Sequence, residues 1–227
     1  MFYWLPLLIV IIVYLINLYD IFDYQLHIEA QYGLAKITDD YVYPTIIDNF
    51  VTEEEAKYVI ELAHEKFIPS VLFGNYRMDN IRNSKSVWLR TDDKIVSAII
   101  QRACTKVGLP FKNAEGLQVV KYDPNGYFKP HYDTTHEIEK QTIDFFTHGG
   151  HRLATIILYL NDNFEGGETH FVNLQKHIKP NKYGGILFYS LDKNGNKCHP
   201  NSLHEGTKVL SGNKYIANIW IRQNKFI

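Results

Sequence analysis

The chain is short of cysteine, methionine and net charge, and each shortage excludes a class of protein. Its 227 residues contain two cysteines and two methionines, and 24 Lys and Arg nearly balance 25 Asp and Glu. Cys104 and Cys198 lie far apart, which excludes a disulfide-rich scaffold and a zinc site built from C-x-x-C pairs. We expect two free thiols rather than one bridge. The balanced charge gives no reason to expect a nucleic-acid partner.

The amino-terminal segment lacks charge altogether. Residues 2–19, FYWLPLLIVIIVYLINLY, contain no charged side chain, and the first lysine is Lys36. A helix of that length spans about 27 Å, close to a hydrocarbon core of about 30 Å. A cleaved signal peptide would need a basic start and a small-residue cleavage site, and neither is present. We expect a transmembrane anchor over residues 1–19, with a buried helix as the alternative. The acidic residues that follow favour a single-pass topology with the main domain lumenal or otherwise non-cytosolic.

Two helical patterns follow a polar linker, which we place at residues 20–44. Thr52 and Glu55 have the spacing of a capping box at the start of the first helix. The second pattern, DDKIVSAIIQRACTKVGL, ends at Gly108, a residue typical of helix carboxyl ends. A long loop with a short strand at its end is expected between them. We therefore describe residues 45–114 as a helical flanking region.

The composition changes from residue 115 to residue 227. Short β-branched and aromatic segments alternate with Gly, Asn, Asp and Pro, and the chain has 16 Tyr and 13 Phe. Regular short strands with turn signals are typical of a sandwich or barrel. Because the helices come first and the strands later, the sequence predicts an α+β fold with helices packed outside a β core.

The stretch GYFKPHYDTTHEI contains a candidate metal-binding unit, His131 and Asp133. On a strand, alternate residues point to the same side, so an imidazole and a carboxylate there can hold one cation. The unit is weak by itself, and a solvated loop is the alternative. His204, late in the β region, is a third candidate ligand. Two histidines and one carboxylate on one face of a metal are typical of non-haem Fe(II) oxygenases, whereas a structural zinc site takes four ligands.

Lys214 stands in SGNKYIANIWI, between apolar and aromatic residues. A lysine within a barrel strand is costly unless its ammonium group meets an anion. This position therefore indicates an anion-binding site, and a solvent-facing strand lysine is the alternative.

Residues from about 80 to 222 resemble the prolyl 4-hydroxylase (alpha-subunit type) family of 2-oxoglutarate- and Fe(II)-dependent dioxygenases. The matching stretches, in order, are RNSKSVWL, EGLQVVKYDPNGYFKPHYD, RLATIILYLND, FEGGETHF, IKPNKYGGILFYS and HEGTKVLSGNKYIANIW. The family pattern is H-x-D, a distal histidine and then a lysine, and here these are His131, Asp133, His204 and Lys214. The resemblance implies a double-stranded β-helix, or jelly roll, with the metal at one open end.

The resemblance also implies a role for each matching residue. His131, Asp133 and His204 would hold Fe(II), and Lys214 would meet the far carboxylate of the co-substrate 2-oxoglutarate. O2 and ascorbate would complete the requirements of the reaction. Three positions would bind or line the co-substrate site: Tyr122, Thr155 and Thr169. Five positions match the family's peptide groove: Arg82, Ser84, Glu115, Arg152 and Trp220.

Some of these positions have ordinary alternatives. Arg152 would otherwise be a salt-bridged strand start, and Trp220 a core residue. Phe128 departs from the family pattern, because relatives often have Tyr there, so one phenolic contact to the substrate is missing. Residues 134–151 form an insertion that would serve as a lid, a substrate selector or a surface loop. His170 is expected to face solvent.

The implied activity is that of a procollagen-proline 4-dioxygenase: peptidyl proline becomes 4-hydroxyproline while 2-oxoglutarate yields succinate and CO2. Its partners would be a proline-containing polypeptide and, through the amino-terminal helix, a membrane, with no nucleic acid and no metal other than iron. One alternative is the same chemistry on a lysyl residue, a nucleic-acid base or a small molecule. The other is a non-catalytic jelly-roll binding protein, which the intact set of four residues disfavours.

Overall fold

The computed structural model describes residues 41–70, 81–134, 148–194 and 198–226. The expected anchor, almost all of the expected linker and most of the insertion after Asp133 lie outside these residues. Within the described ranges, no helix is both long enough and apolar enough to cross a membrane.

Two helices form where the capping signals place them. In helix α1, Glu53–Ala63, the Thr52 hydroxyl accepts a hydrogen bond from the Glu55 N–H, and the Glu55 carboxylate accepts one from the Thr52 N–H. The predicted capping box is therefore confirmed. Helix α2, Lys94–Val107, ends at Gly108, whose φ of +79° is the left-handed conformation that favours glycine.

The other main element type in the described chain is the antiparallel β-strand. In chain order, strands β1 to β14 are Thr45–Ile47, Ile68–Pro69, Arg82–Asn83, Lys85–Leu89, Leu117–Tyr122, Tyr127–His131, Arg152–Tyr159, Phe164–Gly166, Thr169–Phe171, Lys176–Ile178, Gly185–Tyr189, His204–Gly206, Val209–Gly212 and Lys214–Arg222. Short 3-10 turns occur at His64–Lys66, Phe111–Asn113 and Pro200–Ser202.

The strands form a major and a minor sheet. The major sheet has the order β1-β11-β7-β14-β5-β4-β2, the minor sheet has the order β10-β9-β12-β6-β3, and β13 pairs with β8. This β-rich, antiparallel core agrees with the expected jelly roll. Strands also occur within residues 45–114, and β4 pairs with β5 across the expected boundary at residue 115. The major sheet therefore contains strands from both sides of residue 115.

Apolar side chains cover both faces of the major sheet. One face packs against the helices, where Val59 of α1 and Ile99 of α2 are buried with strand residues. The other face packs against the minor sheet, where Phe171 meets Phe188 edge to face at 5.2 Å between ring centroids. Each such fully buried side chain contributes about 1.5–3 kcal/mol of transfer free energy. Packing against the major sheet therefore fixes the position of the minor sheet and of the residues at its open end.

The structure corrects two details predicted from the sequence. Strand β6 ends at His131, so Asp133 lies beyond the strand rather than on it. The short β-branched composition of HEGTKVL predicts a single strand, but the segment forms β12 and β13, because these pair with different partners in different sheets. Gly166 and Gly167, a pair typical of a turn, have φ values of +68° and +64°, the left-handed conformation that favours glycine. Cys104 and Cys198 are buried and unbridged, as expected.

Candidate active site

Strand pairing brings together three residues that are distant in the sequence. His131 and His204 face each other as a registered pair between β6 and β12, and their ring centroids are 4.3 Å apart. The Asp133 carboxylate lies 3.9 Å from Nε2 of each histidine. One ligand atom from each of the three lies within 4.8 Å of the others, the only such group among the described residues. Two imidazoles and one carboxylate around a common point could hold a metal ion, as the sequence predicts.

Backbone carbonyls fix the orientation of both imidazoles. Nδ1 of His131 lies 2.8 Å from the Lys129 carbonyl oxygen, and Nδ1 of His204 lies 2.8 Å from that of Ser202. A carbonyl can only accept, so each Nδ1 carries the proton and donates it. Each Nε2 therefore presents a lone pair toward Asp133, the arrangement in which metal-binding histidines are commonly held.

The protonation of the group suits a cation. Burial, followed by the neighbouring His204, lowers the pKa of His131 to about 3, so its ring is neutral at physiological pH. Burial acts to raise the pKa of Asp133, but the facing imidazoles and Arg152 outweigh it and the pKa is lowered. Neutral imidazoles and an ionised carboxylate are the forms that bind metal ions.

Thr155 supports Asp133 from the major sheet. Its hydroxyl donates a 2.6 Å hydrogen bond to Oδ2 of Asp133, and both residues are buried. The sequence resemblance implies a contact between Thr155 and the co-substrate. The structure shows a contact with a candidate metal ligand, and Thr155 also lines the cleft in which the co-substrate is expected.

Lys214 begins β14 and points into the same cleft. Its side chain is among the most deeply buried in the described chain, with 2% exposure. Among the described residues, no carboxylate lies within ion-pairing distance of its ammonium group, which instead lies over the rings of Tyr122 and Tyr159 at 5.2 and 4.8 Å. Burial, with the nearby Lys179, lowers its pKa to about 7. A buried lysine without an anionic partner indicates a site for an anion.

The other expected co-substrate residues surround Lys214. Tyr122 is its registered partner on β5, and Thr169 on β9 accepts or donates a 3.0 Å hydrogen bond with the Tyr159 hydroxyl. The complete lining of the cleft is Arg82, Tyr122, Phe128, His131, Asp133, Thr155, Ile157, Thr169, His204, Glu205, Gly206, Lys214, Ile216, Asn218 and Trp220. The cleft thus joins the metal-ligand group to the buried lysine.

Two of the five predicted substrate residues lie at the cleft with free donors. Arg82 stacks over the Phe128 ring at 4.6 Å, and its Nε donates to the Ser84 hydroxyl at 2.8 Å. Phe128 in turn stacks on His131 with 3.6 Å between ring centroids. One terminal nitrogen of Arg82 and the indole N–H of Trp220 are buried without a hydrogen-bond partner in the described structure. Ser84 acts through Arg82 and does not line the cleft itself.

Glu115 and Arg152 form a buried ion-pair cluster behind Trp220. The Glu115 carboxylate accepts two 2.7 Å hydrogen bonds from Arg152 and one of 2.8 Å from Arg222. The Arg152 guanidinium lies 4.0 Å from the Trp220 ring centroid. Arg152 is therefore a salt-bridged residue at the start of β7, one of the two predicted possibilities, and it supports Trp220 from beneath.

Sequence reasoning missed Asn218, although a signal was available. Lys214, Ile216, Asn218 and Trp220 alternate along β14 and all line the cleft. Because alternate strand residues share a face, Lys214 and Trp220 together predict that the residues between them at even spacing face the site as well. Asn218 donates a 3.3 Å hydrogen bond to the side chain of Gln118 on β5, which no local pattern could indicate.

His170 points away from the cleft, on the outer face of β9. Its ring is half-buried, stacks on His177 with 4.0 Å between centroids and lies 2.7 Å from the Glu205 carboxylate. The expectation that it faces solvent holds only in part, because its neighbours on β10 and β12 cover it.

Comparison with known proteins places this geometry in a family. Residues 117–222 match the model of the 2OG-Fe(II) oxygenase superfamily. A protein of Acanthamoeba polyphaga mimivirus that is assigned as a prolyl 4-hydroxylase is 38% identical over 203 residues, which cover 89% of this chain and 83% of that protein. Prolyl 4-hydroxylase 1 of Arabidopsis thaliana is 31% identical over 78% of this chain and 68% of its own length.

A solved structure has the same fold. The viral collagen prolyl hydroxylase of Paramecium Bursaria Chlorella virus-1, solved as a 2OG complex, superposes with a TM-score of 0.62 at 30% identity. The match covers 79% of this chain and 96% of that one. The cleft described above therefore lies in a fold that binds 2-oxoglutarate in another protein.

Proposed function

We propose a function from the premise that this chain belongs to the prolyl 4-hydroxylase family of 2-oxoglutarate- and Fe(II)-dependent oxygenases. It hydroxylates proline residues of a polypeptide to 4-hydroxyproline and converts 2-oxoglutarate to succinate and CO2. The observation that carries the proposal is one cleft containing three convergent ligands, His131, Asp133 and His204, and a buried lysine with no carboxylate partner among the described residues. O2 is the oxidant, and ascorbate is the reductant typical of this family.

The ligand group fits Fe(II). His131 and His204 each present a lone pair at Nε2, Asp133 presents an ionised carboxylate, and three protein ligands leave positions for other groups. Bound iron, with 2-oxoglutarate and O2, supplies the oxidising chemistry that replaces C–H by C–OH. The protein holds the three ligands in register, and it lowers the pKa of His131 and of Asp133 so that this ring is neutral and this carboxylate ionised.

Lys214 fits the far carboxylate of 2-oxoglutarate. Its ammonium group lies at the end of the cleft between two tyrosine rings, where a carboxylate would form a charge-assisted contact in a poorly hydrated site. Tyr122 and Thr169 complete the walls around this end, and Thr155 maintains the geometry of Asp133. These contacts orient the co-substrate so that its other end faces the metal ligands.

The substrate enters beside Arg82 and Trp220. Both have a buried N–H without a partner in the described structure, so each can donate to a backbone carbonyl of a peptide without losing an existing bond. Glu115 and Arg152 hold the Trp220 ring in place, and Ser84 holds Arg82. Phe128 contributes a flat apolar surface and no hydroxyl at this end of the cleft.

A coupled assay tests the proposal. Purified protein with Fe(II), ascorbate and 2-oxoglutarate is incubated with proline-rich peptides, and succinate and peptide mass are measured. We expect succinate release matched by a gain of one oxygen on proline, and no turnover by His131→Ala. Turnover coupled only to lysyl peptides, nucleotides or small molecules would replace the proposed substrate. Absence of metal binding would favour a non-catalytic protein.

We further propose that the amino-terminal segment anchors the enzyme in a membrane with the catalytic domain on the non-cytosolic side. The support is the uncharged run over residues 2–19 and the acidic residues that follow it. The segment lies outside the described residues, so this proposal rests on the sequence.

A further inference from the structure

A row of histidine and glutamate side chains crosses the outer face of the minor sheet. His170 on β9 is the registered partner of His177 on β10 and of Glu205 on β12, so the three side chains lie side by side. The neighbours of His170 on β9, Thr169 and Phe171, are buried on the opposite face of the strand. The row therefore lies on the side of β9 that faces away from the candidate iron ligands.

Two imidazole rings stand face to face in this row. The rings of His170 and His177 have 5° between their planes and 4.0 Å between their centroids. Nδ1 of His170 donates a 2.7 Å hydrogen bond to the Glu205 carboxylate, and Nδ1 of His177 lies 3.8 Å from the carboxylate of Glu168. Nε2 of neither ring has a hydrogen-bond partner among the described residues. Each ring thus keeps one nitrogen available for a ligand.

A carboxylate stands behind each imidazole. Metal-binding histidines commonly donate one ring N–H to a carboxylate, which fixes the ring and makes the other nitrogen a better ligand. Glu205 has this position for His170, and Glu168, which accepts a 3.2 Å hydrogen bond from Thr207, lies close to it for His177. Within the described ranges, neither glutamate forms an ion pair with a lysine or an arginine. The row therefore combines two available nitrogens with two negative charges, and this combination attracts a cation.

Modest ring rotations bring the two nitrogens onto one ion. The lone pairs of parallel rings do not converge, but the χ2 torsion of histidine is broad, and the His177 side chain is 55% exposed and has room to turn. The row supplies two protein ligands, one fewer than the group around His131, and water completes the coordination. Imidazole ligands suit Zn(II) and Cu(II), whereas Ca(II) and Mg(II) take oxygen ligands.

We propose that His170 and His177 bind Zn(II), or another divalent ion that prefers imidazole, at a second metal site on the outer face of the minor sheet. The ion links β10, the edge strand of that sheet, to β9, whose inner face contributes Thr169 to the cleft. The proposal differs from the expectation that iron is the only metal bound. It goes beyond the proposed prolyl hydroxylation and does not depend on it.

Zinc titration with and without the inner ligand group tests the proposal. The background protein carries His131→Ala and His204→Ala, which remove two candidate iron ligands. His170→Gln, His177→Gln and the control His64→Gln are each made in this background and in wild type. His64 is an exposed histidine directly after helix α1, outside the row. Zn(II) binding to the full chain is measured by calorimetry, and circular dichroism checks folding. The wild-type series decides the result if the background protein does not fold.

Copper identifies the ligands. One equivalent of Cu(II) is added to wild type whose inner group is already occupied by Zn(II), and to the background protein. Pulsed EPR then counts the imidazoles coordinated to the copper ion.

We expect wild type to bind two Zn(II) ions and the background protein one. His170→Gln and His177→Gln should each weaken the outer site at least as much as loss of an orienting contact does, about 10- to 100-fold, and His64→Gln should leave it unchanged. EPR should show two imidazoles on the copper ion. A single zinc site in wild type, an equal loss in His64→Gln or one coordinated imidazole would overturn the proposal. Hydroxyproline formation is measured separately, so failure of the proposed activity and failure of this site are distinguishable.

Discussion

Thr155 shows how much a single hydroxyl contributes at this site. Its hydrogen bond to Oδ2 orients the Asp133 carboxylate. It also adds to the larger effects of His204, His131 and Arg152, which together outweigh burial and lower the pKa of Asp133. We expect Thr155→Val, which preserves shape, to weaken Fe(II) binding about 10- to 100-fold, as losses of such supporting contacts do. Anaerobic calorimetric titration measures this, and Thr155→Ser, which keeps the donor, serves as the matched control. Unchanged Fe(II) binding by Thr155→Val, or a loss confined to Thr155→Ser, would show that the methyl group, rather than the hydrogen bond, matters.

Lys214 predicts a pH dependence of co-substrate binding. Its pKa of about 7 means that the ammonium form dominates below pH 7 and the neutral amine above it. Only the ammonium form pairs with a carboxylate, so the dissociation constant of 2-oxoglutarate should be flat below pH 7 and rise up to about tenfold per pH unit above it. Bound carboxylate raises the pKa, which carries binding some way into the alkaline range.

Calorimetry of 2-oxoglutarate binding between pH 6 and pH 9 checks this expectation. Lys214→Arg is the control, because a guanidinium stays charged throughout this range. Its binding should be weaker overall and free of the alkaline rise. The same rise in Lys214→Arg would assign the titration to another group.

At the scale of residues, the sequence is informative where function depends on the spacing of residues along the chain. A pattern of four residues can be recognised without any knowledge of the fold: His131, Asp133, His204 and Lys214. The structure brings all four into one cleft. The link from Thr155 to Asp133 and the contact between the Trp88 and Trp220 rings depend on the order of the strands in the sheet. Sequence spacing contains no information on that order, so these contacts could not be predicted.

The ends of β5, β7 and β14 are held together by one carboxylate. Glu115 receives hydrogen bonds from Arg152 and Arg222, and all three side chains are buried. We expect Glu115→Gln to destabilise the fold by about 3–5 kcal/mol, because it removes the charge of the carboxylate to which both buried guanidinium groups donate. Urea unfolding monitored by fluorescence measures this change.

The exposed pair of Arg90 and Asp92 supplies the matched control. Its side chains are 84% and 64% exposed, so Asp92→Asn should change the free energy of unfolding by no more than about 1 kcal/mol. A comparable effect of both substitutions would mean that burial does not set the strength of the Glu115 cluster.

At the scale of elements, capping and turn signals were predicted better than strand ends. Thr52, Glu55 and Gly108 act within a few residues of themselves, so their effect can be inferred locally. The ending of β6 at His131 and the separation of β12 from β13 follow from pairing partners in different sheets. Only the three-dimensional arrangement determines those ends.

For the whole molecule, the proposed membrane anchor predicts how the full chain fractionates. We expect the full chain to partition with membranes and to resist carbonate extraction, because an apolar helix of 18 residues inserts stably. A variant that lacks residues 1–36 should remain in the supernatant and keep its prolyl hydroxylase activity. Protease treatment of sealed vesicles should leave the catalytic domain intact when it is on the lumenal side. Release of the full chain by carbonate would contradict the anchor.

The pairing of His131 with His204 also has a consequence for the lifetime of the protein. These ligands belong to two short adjacent strands of the minor sheet and lie far apart in the chain, so a metal ion between them acts as a removable cross-link. Loss of the bound iron should therefore loosen this sheet and expose it to proteases. Proteolysis would then occur before a new supply of iron could restore activity. The abundance of the enzyme would then follow the iron supply of the cell, independently of how much of it is synthesised.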